Sequence, residues 1–400
     1  MRIFATSELS SLAMRIGLAI DRRGSPSEML LSGIATYARP SSEWVLKWEQ
    51  PTAAGVERLL QLGVDGILAK HLDAQGLALI ERSEIPAVHM TSALNSPRIA
   101  SVDNDDRAIG QMAADHFVNR GYQHFGYYAQ PRDSIDPRIE GFDATLRERG
   151  RSCLVAEADP GHPAHTRSSE PSVRKASEAL RAWLSGLPKP IAIFCRSDNA
   201  ALSVAEHCRE LSIVVPDEVA ILGVDNDVAV CSLADPPLSS VQIAGERMGY
   251  VAAELLNELM TQNKNARAIF VQPIRVVDRR STDAIGAKDL MVARALMLLL
   301  DHHSDPDCMH QIITSLPCSR RTFERKFRES TGLSPVQAWL RFRLEEARCL
   351  LVKTELAVEE VAERSGFGDI LQLQVAFRKA FRQTPTQFRR YAVPAFQVRR

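Results

Sequence analysis

The 400-residue sequence holds only seven cysteines, an odd number with no Cys-x-x-Cys pair and no regular spacing. That argues against a disulfide framework and against a zinc site. No stretch reaches the roughly 18 uninterrupted apolar residues that a membrane-spanning helix requires, so a membrane partner is not expected. Residues 1–13 are mixed and carry Glu8; a charged region, an apolar run and a cleavage site do not follow one another there. The expected compartment is the cytoplasm, and Met14, where fold-like patterning begins, is an alternative start to Met1. Catalytic signatures are scarce as well. There is no G-x-S-x-G and no G-x-x-x-x-G-K-[ST], and His302 and His303 are adjacent, so a helix would point their rings apart. An enzyme is a remote alternative, and no cofactor or metal is expected. Net charge is missing too, because 49 Lys and Arg balance 49 Asp and Glu.

The balance conceals an asymmetry. From Ala287 onward there are 19 Lys and Arg against 13 Asp and Glu, and 15 of those bases are Arg, the side chain whose planar fork suits phosphate and guanine. An acidic body therefore precedes a basic tail, which makes nucleic acid a candidate partner. With 45% apolar and 24% charged residues the composition is that of a soluble globular protein, and the length predicts about two to three domains.

Residues 14–130 alternate short apolar runs with helical patterns. "RIGLAI" (15–20), "GVDGILA" (63–69), "IPAVHM" (85–90) and "HFGYYA" (124–129) are predicted strands; residues 27–38 and 106–121 are predicted helices. Trp44 and Trp48 alternate in a strand pattern and are expected in the core. The rhythm repeats with strands at 191–195 and 219–225 and helices at 138–150, 198–212 and 245–260. Apolar strands alternating with amphipathic helices imply parallel sheets covered on both faces. The expected fold is an α/β bilobed body, two parallel-sheet lobes, followed by an all-α domain with two helix-turn-helix units. Ligands of open parallel sheets sit beyond the carboxyl ends of strands, so facing lobes are expected to clasp a small molecule. Lobe 1 is assigned to about 14–130 and 240–265, and lobe 2 to about 131–239 and 268–282, together a sensor over 14–282; residues 161–171 are a predicted surface loop. Residues 283–288 are the linker, and 289–391 carry helical periodicity throughout.

Shifted by 50 residues, the tail lies on itself: Phe323, Phe327-Arg328 and Ser334-Pro335 fall on Leu373, Phe377-Arg378 and Thr384-Pro385. One supersecondary unit is used twice. In the first copy Ser319 is a predicted N-cap of a helix in which Phe323 and Phe327 face the core, leaving Arg320, Arg321, Glu324, Arg325 and Arg328 outward. A buried stripe opposite a guanidinium stripe suits a helix that enters a major groove. The connector "VQAWLRFRLEEARCLLVK" (336–353) spans about 28 Å at about 1.5 Å per residue, against the about 34 Å between successive grooves on one duplex face.

"GLSPVQAWLRFRLEEARCLL" (332–351), "AVEEVAERSGF" (357–367) and "AFRKAFRQTPTQFR" (376–389) resemble the AraC/XylS-type DNA-binding domain. That resemblance implies a transcription regulator whose two reading helices contact an operator in double-stranded DNA. By position, Arg321, Glu324 and Arg325 become the readers of the first helix. The second departs from the family pattern: "DILQLQVAF" leaves Gln372 and Gln374 to read adenine and apolar side chains to touch thymine methyls, with Arg378 beyond. "IASVDNDDRAIGQMAADHFVNRGYQHFGYYA", "VPDEVAILGVDND" and "VQPIRVVDRRSTD" resemble the LacI/GalR-type sensor, which implies that the α/β bilobed body is a periplasmic-binding-protein-like sensor, and the fused order is similar to that of xylose-operon activators. Implied partners are a pentose-like sugar, most simply D-xylose, a second copy in a homodimer, and RNA polymerase.

Sugar hydroxyls demand bidentate acceptors and donors. The sensor resemblance places Arg138, in "RIEGF", and Asp225, ending "VAILGVD", as ligand contacts. Asp198, before a helix, holds ligand or caps. Asp21 and Arg22 follow the first strand, and Lys70 and His71 follow "GILA", as strand-end candidates; His89 is a ligand contact or a satisfied core histidine.

Overall fold

The computed structural model describes residues 13–22, 24–39, 44–91, 99–129, 136–156, 171–262 and 266–392. The chain runs β1 (Met14–Ala19), α1 (Ser25–Ala38), β2 (Trp44–Glu49), α2 (Ala53–Gln61), β3 (Gly66–Ala69), α3 (Ala74–Ser83), β4 (Ala87–His89) and β5 (Ala100–Asn104). It continues through α4 (Asp106–Asn119), β6 (Phe125–Tyr128), α5 (Pro137–Arg147), β7 (Cys153–Val155), α6 (Pro171–Gly186), β8 (Ile191–Cys195), α7 (Asp198–Glu210), β9 (Val219–Val224) and α8 (Val228–Leu233). β10 (Ser239–Gln242), α9 (Gly245–Gln262), β11 (Ala268–Val271) and β12 (Arg275–Val277) complete the strands. The tail is helical: α10 (Leu290–His302), α11 (Cys308–Ser315), α12 (Arg320–Thr331), α13 (Pro335–Lys353), α14 (Val358–Arg364), α15 (Ile370–Phe381) and α16 (Pro385–Ala392).

The chain divides into two compact units, with changes of unit after Asp105, Ile243 and Gln272. The first contains a parallel sheet ordered β11-β5-β4-β3-β1-β2. Its helices begin where short polar side chains accept orphan backbone donors: Thr52 from the Gly55 N–H before α2, Asp73 from the Gly76 N–H before α3. α1 and α9 pack backbone to backbone, since a Cβ on Gly33 would sit 1.9 Å from the Glu246 carbonyl oxygen.

The second unit holds the sheet β12-β10-β9-β8-β6-β7, parallel except for β12, which runs antiparallel to β10. Every residue of β8 and β9 is buried, as their apolar runs require of a sheet covered on both faces. Residues 106–129, which the sequence pattern assigns to lobe 1, belong here, because β6 pairs with β8 and α4 packs on α5. β10, whose residues 240–242 are assigned to lobe 1, likewise pairs with β9, and β11, assigned to lobe 2 with residues 268–282, pairs instead with β5 in the first unit. Of the loop expected at 161–171, residues 161–170 lie outside the described residues, and α6 already begins at Pro171.

The helical tail belongs to the second unit and is duplicated in three dimensions. α12 and α15 are each 12 residues long, capped at the N-terminus by Ser319 and Asp369 and closed by left-handed residues, Gly332 and Arg382. All these positions are separated by 50 residues. Phe323, Phe327, Leu373 and Phe377 are fully buried. No helix among the described residues is long and apolar enough to cross a membrane.

Candidate functional site

Two sites are built within the second unit. The first gathers where β6, β8 and β9 end at their carboxyl termini. Asp136 caps α5, accepting the Arg138 backbone N–H at 3.0 Å, and the Pro137 that follows is preorganised for the first helical turn. Its carboxylate also accepts from Tyr127 Oη, on β6, and faces Arg196 Nε at 3.1 Å. The adjoining Arg138 side chain donates from Nε to Asp106 Oδ1 at 2.7 Å and from Nη1 to the Arg196 carbonyl. Burial works against the Arg138 charge, but the carboxylates of Asp106 and Asp225 outweigh it and push its pKa above the ordinary arginine value. The guanidinium is thus charged, oriented and nearly buried, with its Nη2 group making no hydrogen bond among the described residues.

Asp225 and Asn226 close β9 in the left-handed region, at φ 105° and 55°, a conformation that costs a non-glycine residue of order 1–3 kcal/mol and persists only where neighbours over-determine it. Here the Asp225 N–H donates to the Val241 carbonyl at 3.0 Å and Asn226 is gripped by Arg279 at 2.8 Å. Asp198 lies behind them, 1% exposed. Its Oδ1 accepts from Ser240 Oγ at 2.6 Å and its Oδ2 from the Asp227 N–H at 2.7 Å. Ser197, not Asp198, caps α7. Burial, abetted by the Asp225 charge, pushes the Asp198 carboxyl up to about 7 against the hydrogen bonds that it accepts. Gly223 makes room for it, since a Cβ there would lie 2.2 Å from Asp198 Oδ1. Asp198 is an internal post that sets the β9 turn.

Sequence reasoning missed Asp136, Asp106 and Arg196. An Asp-Pro pair ahead of a helix pattern is the signal that exposes the first; for Asp106 and Arg196 the pairing is tertiary.

In the first unit, Asp21 and Arg22, Lys70 and His71, and His89 stand at the carboxyl ends of β1, β3 and β4, one edge of one sheet. The Arg22 guanidinium lies over the Trp48 ring, 3.9 Å from its centroid, and Trp48 Nε1 donates to the Ile20 carbonyl. Trp44 and Trp48 are only partly buried, on the edge strand β2. Lys70 is buried, His71 exposed at φ 57°. His89 is buried, and that burial lowers its pKa to about 4, so its ring is neutral at pH 7.

The second site is the outer face of α12. Arg321, Thr322, Glu324, Arg325, Arg328 and Glu329 line one shallow groove. Arg320 Nε bonds Glu324 and Arg325 Nη1 bonds Glu329, both at 2.8 Å and both one turn along the same helix. Such exposed i,i+4 pairs are weak, and both arginines stay more than half exposed. On α15 the outer face reads differently. Leu371 and Val375 are 67% and 70% exposed, Gln372 and Arg378 are exposed, and Gln374 is partly buried. The Gln372 amide folds back on the cap, Nε2 to Asp369 Oδ2 at 3.3 Å.

Comparison with known proteins agrees with this division. Residues 114–282 match a periplasmic binding protein-like domain and residues 313–391 a helix-turn-helix domain. The xylose operon regulatory protein of Escherichia coli K12 is 28% identical over 94% of this chain and 96% of its own length. That of Haemophilus influenzae is 25% identical over 94% and 98%. Among solved structures, the xylose-binding transcription activator XylR superposes with a TM-score of 0.59 at 25% identity, covering 95% of this chain and 98% of that one. The chain is thus similar over nearly its whole length to xylose operon regulatory proteins, and it carries a periplasmic binding protein-like domain ahead of a helix-turn-helix domain, the make-up of a DNA-binding transcription regulator.

Proposed function

We propose that D-xylose, or a pentose of close stereochemistry, is the effector, that Arg138 and Asp225 are among its contacts, and that the protein activates transcription as a homodimer that touches RNA polymerase. The observation that carries the reading is the Arg138 cluster. A charged guanidinium fixed by Asp106 and near enough to feel the Asp225 charge sets a donor in the same neighbourhood as a strong acceptor, the combination that vicinal hydroxyls bridge. Similarity to regulators named for the xylose operon supports the sugar, and XylR, described as a xylose-binding activator, supports the sign of regulation. On the DNA side, Arg321 and Arg325 fork onto guanine and Glu324 accepts from cytosine, while Arg320, Arg328 and Arg378 lie toward phosphates.

A thermal-shift screen of pentoses and hexoses, followed by mobility-shift titration of candidate operators with and without the binding sugar, tests the proposal. D-Xylose raises Tm by mass action and changes operator affinity. Stabilisation by a hexose alone, or an operator affinity indifferent to every sugar, rejects it.

A further inference from the structure

The helix that bears Asp106 at its first turn also touches the DNA-binding tail at its last. Asp115 Oδ1, on α4, receives Arg341 Nη1 from the connector helix α13 at 2.9 Å, and the same Nη1 lies 3.3 Å from Asn119 Oδ1. Asp115 also receives Arg149 Nη2 at 2.5 Å, just past the end of α5. Asp106 and Asp115 are nine residues apart on one helix, about 14 Å along its axis.

α5 repeats the arrangement. Its first turn carries Arg138, and the chain just beyond its end carries Arg149 and Arg151. Arg151 Nη2 donates to the carbonyls of Glu329 and Ser330 at 3.2 and 3.3 Å, and Gln123 Nε2 donates to Ser330 as well. Those are carbonyls of the last turn of α12, which lack partners inside their own helix. The sensor thus holds the reading helix by its C-terminal end and the connector helix by Arg341.

The two sensor helices are locked to each other. A Cβ on Gly110 would lie 1.9 Å from the Arg138 carbonyl oxygen, and one on Gly141 2.0 Å from that of Arg107. Backbones this close cannot slide without clashing, so the pair moves as a body, and packed interfaces reposition rather than deform.

Resting on the sugar reading above, we infer that the α4–α5 pair is the coupling element of this regulator: a sugar engaging Arg138 shifts the pair, and the Asp115–Arg341 tie carries that shift to the connector helix. Arg341 is a positioning residue. It lies off the α12 and α15 outer faces and touches neither the Arg138 cluster nor the reading side chains.

The test measures operator affinity with and without D-xylose in the full chain, for wild type, D115N, R341M and R341K. Coupling free energies of this kind ordinarily correspond to affinity ratios of about 5- to 150-fold. D115N and R341M are expected to bind xylose as wild type does and to bind operator, with the ratio collapsing toward one; R341K, which keeps a charged donor one bond short of the Nη1 position, retains most of it. Linkage requires a matching result in reverse: operator DNA alters xylose affinity in wild type and R341K but not in D115N or R341M. If wild type responds and D115N and R341M respond equally, the inference is overturned while the sugar reading stands. If wild type binds no pentose, or binds one without any change in operator affinity, the sugar reading falls and takes the inference with it. Because xylose affinity and thermal melting are followed in every variant, misfolding cannot be mistaken for uncoupling.

Discussion

Arg138 and Asp106 join the first turns of two helices through one 2.7 Å hydrogen bond between opposite charges. The pair keeps the guanidinium charged and aimed, and with its side chains only 13% and 15% exposed the loss of either partner strands the other.

R138A is therefore expected to abolish the xylose-induced rise in Tm and to lower the melting temperature itself, with a cost of about 3 kcal/mol for leaving Asp106 unpaired. D225A loses the sugar response and keeps operator binding. Calorimetric melting with and without xylose, beside mobility shifts, separates the two effects; a full sugar response in R138A contradicts the site.

Asp198 introduces a pH dependence. Its folded pKa, about 7, lies above the ordinary carboxylate value, so the folded state binds more protons than the unfolded one between those two limits. The protonated form favours folding. Stability from this group is complete below about pH 4 and is lost as pH rises to about 7, by an amount of order a few kcal/mol. D198N, whose amide satisfies Asp227 through its oxygen and donates to a rotated Ser240 hydroxyl, flattens that decline. Urea midpoints across pH 4 to 8 reveal it, and identical pH profiles for wild type and D198N dispose of the assignment.

R325A is expected to weaken specific operator binding about 5- to 150-fold, the discrimination of about 1–3 kcal/mol that a forked guanine contact supplies, with xylose affinity intact. Loss of the Glu329 pair contributes little to stability, since both side chains are exposed. Titrations at matched salt decide the matter, because nonspecific affinity varies steeply with ionic strength.

Leu371 and Val375 place apolar surface where the second reading helix faces outward. Apolar side chains read the thymine methyl, and a buried methyl contributes about 0.8 kcal/mol. Replacing thymine by uracil in the half-site of α15 should weaken binding about fourfold per contacted base in wild type and have little effect in L371A/V375A. Equal sensitivity to uracil in both proteins excludes the contact.

Much of this was legible in the chain. β3, β8 and β9 appear as apolar runs that only a two-sided sheet can cover, and the 50-residue repeat with its Phe and Ser-Pro positions announced α12, its Ser319 cap, and α15. The polar, short strands β10 and β12 carried no comparable signal. Lobe membership was misassigned for 106–129, because a strand's periodicity declares its burial but not its neighbour. In the proposed sugar site, Arg138 and Asp225 were singled out by resemblance, whereas Asp106 read only as a helix start and Asp198 could not be sorted from a cap until Ser197 was seen to cap α7.

The sequence by itself determined what depends on neighbours within a turn or two: which segments are helices, where they start, which face of α12 is buried, and that the reading unit occurs twice. Only the tertiary structure decided which sheet β6 joins, that Asp106 meets Arg138, and that Asp115 holds Arg341. Those outcomes rest on contacts between residues far apart in the chain, selected by shape and charge when the core closes, and local periodicity contains no record of them.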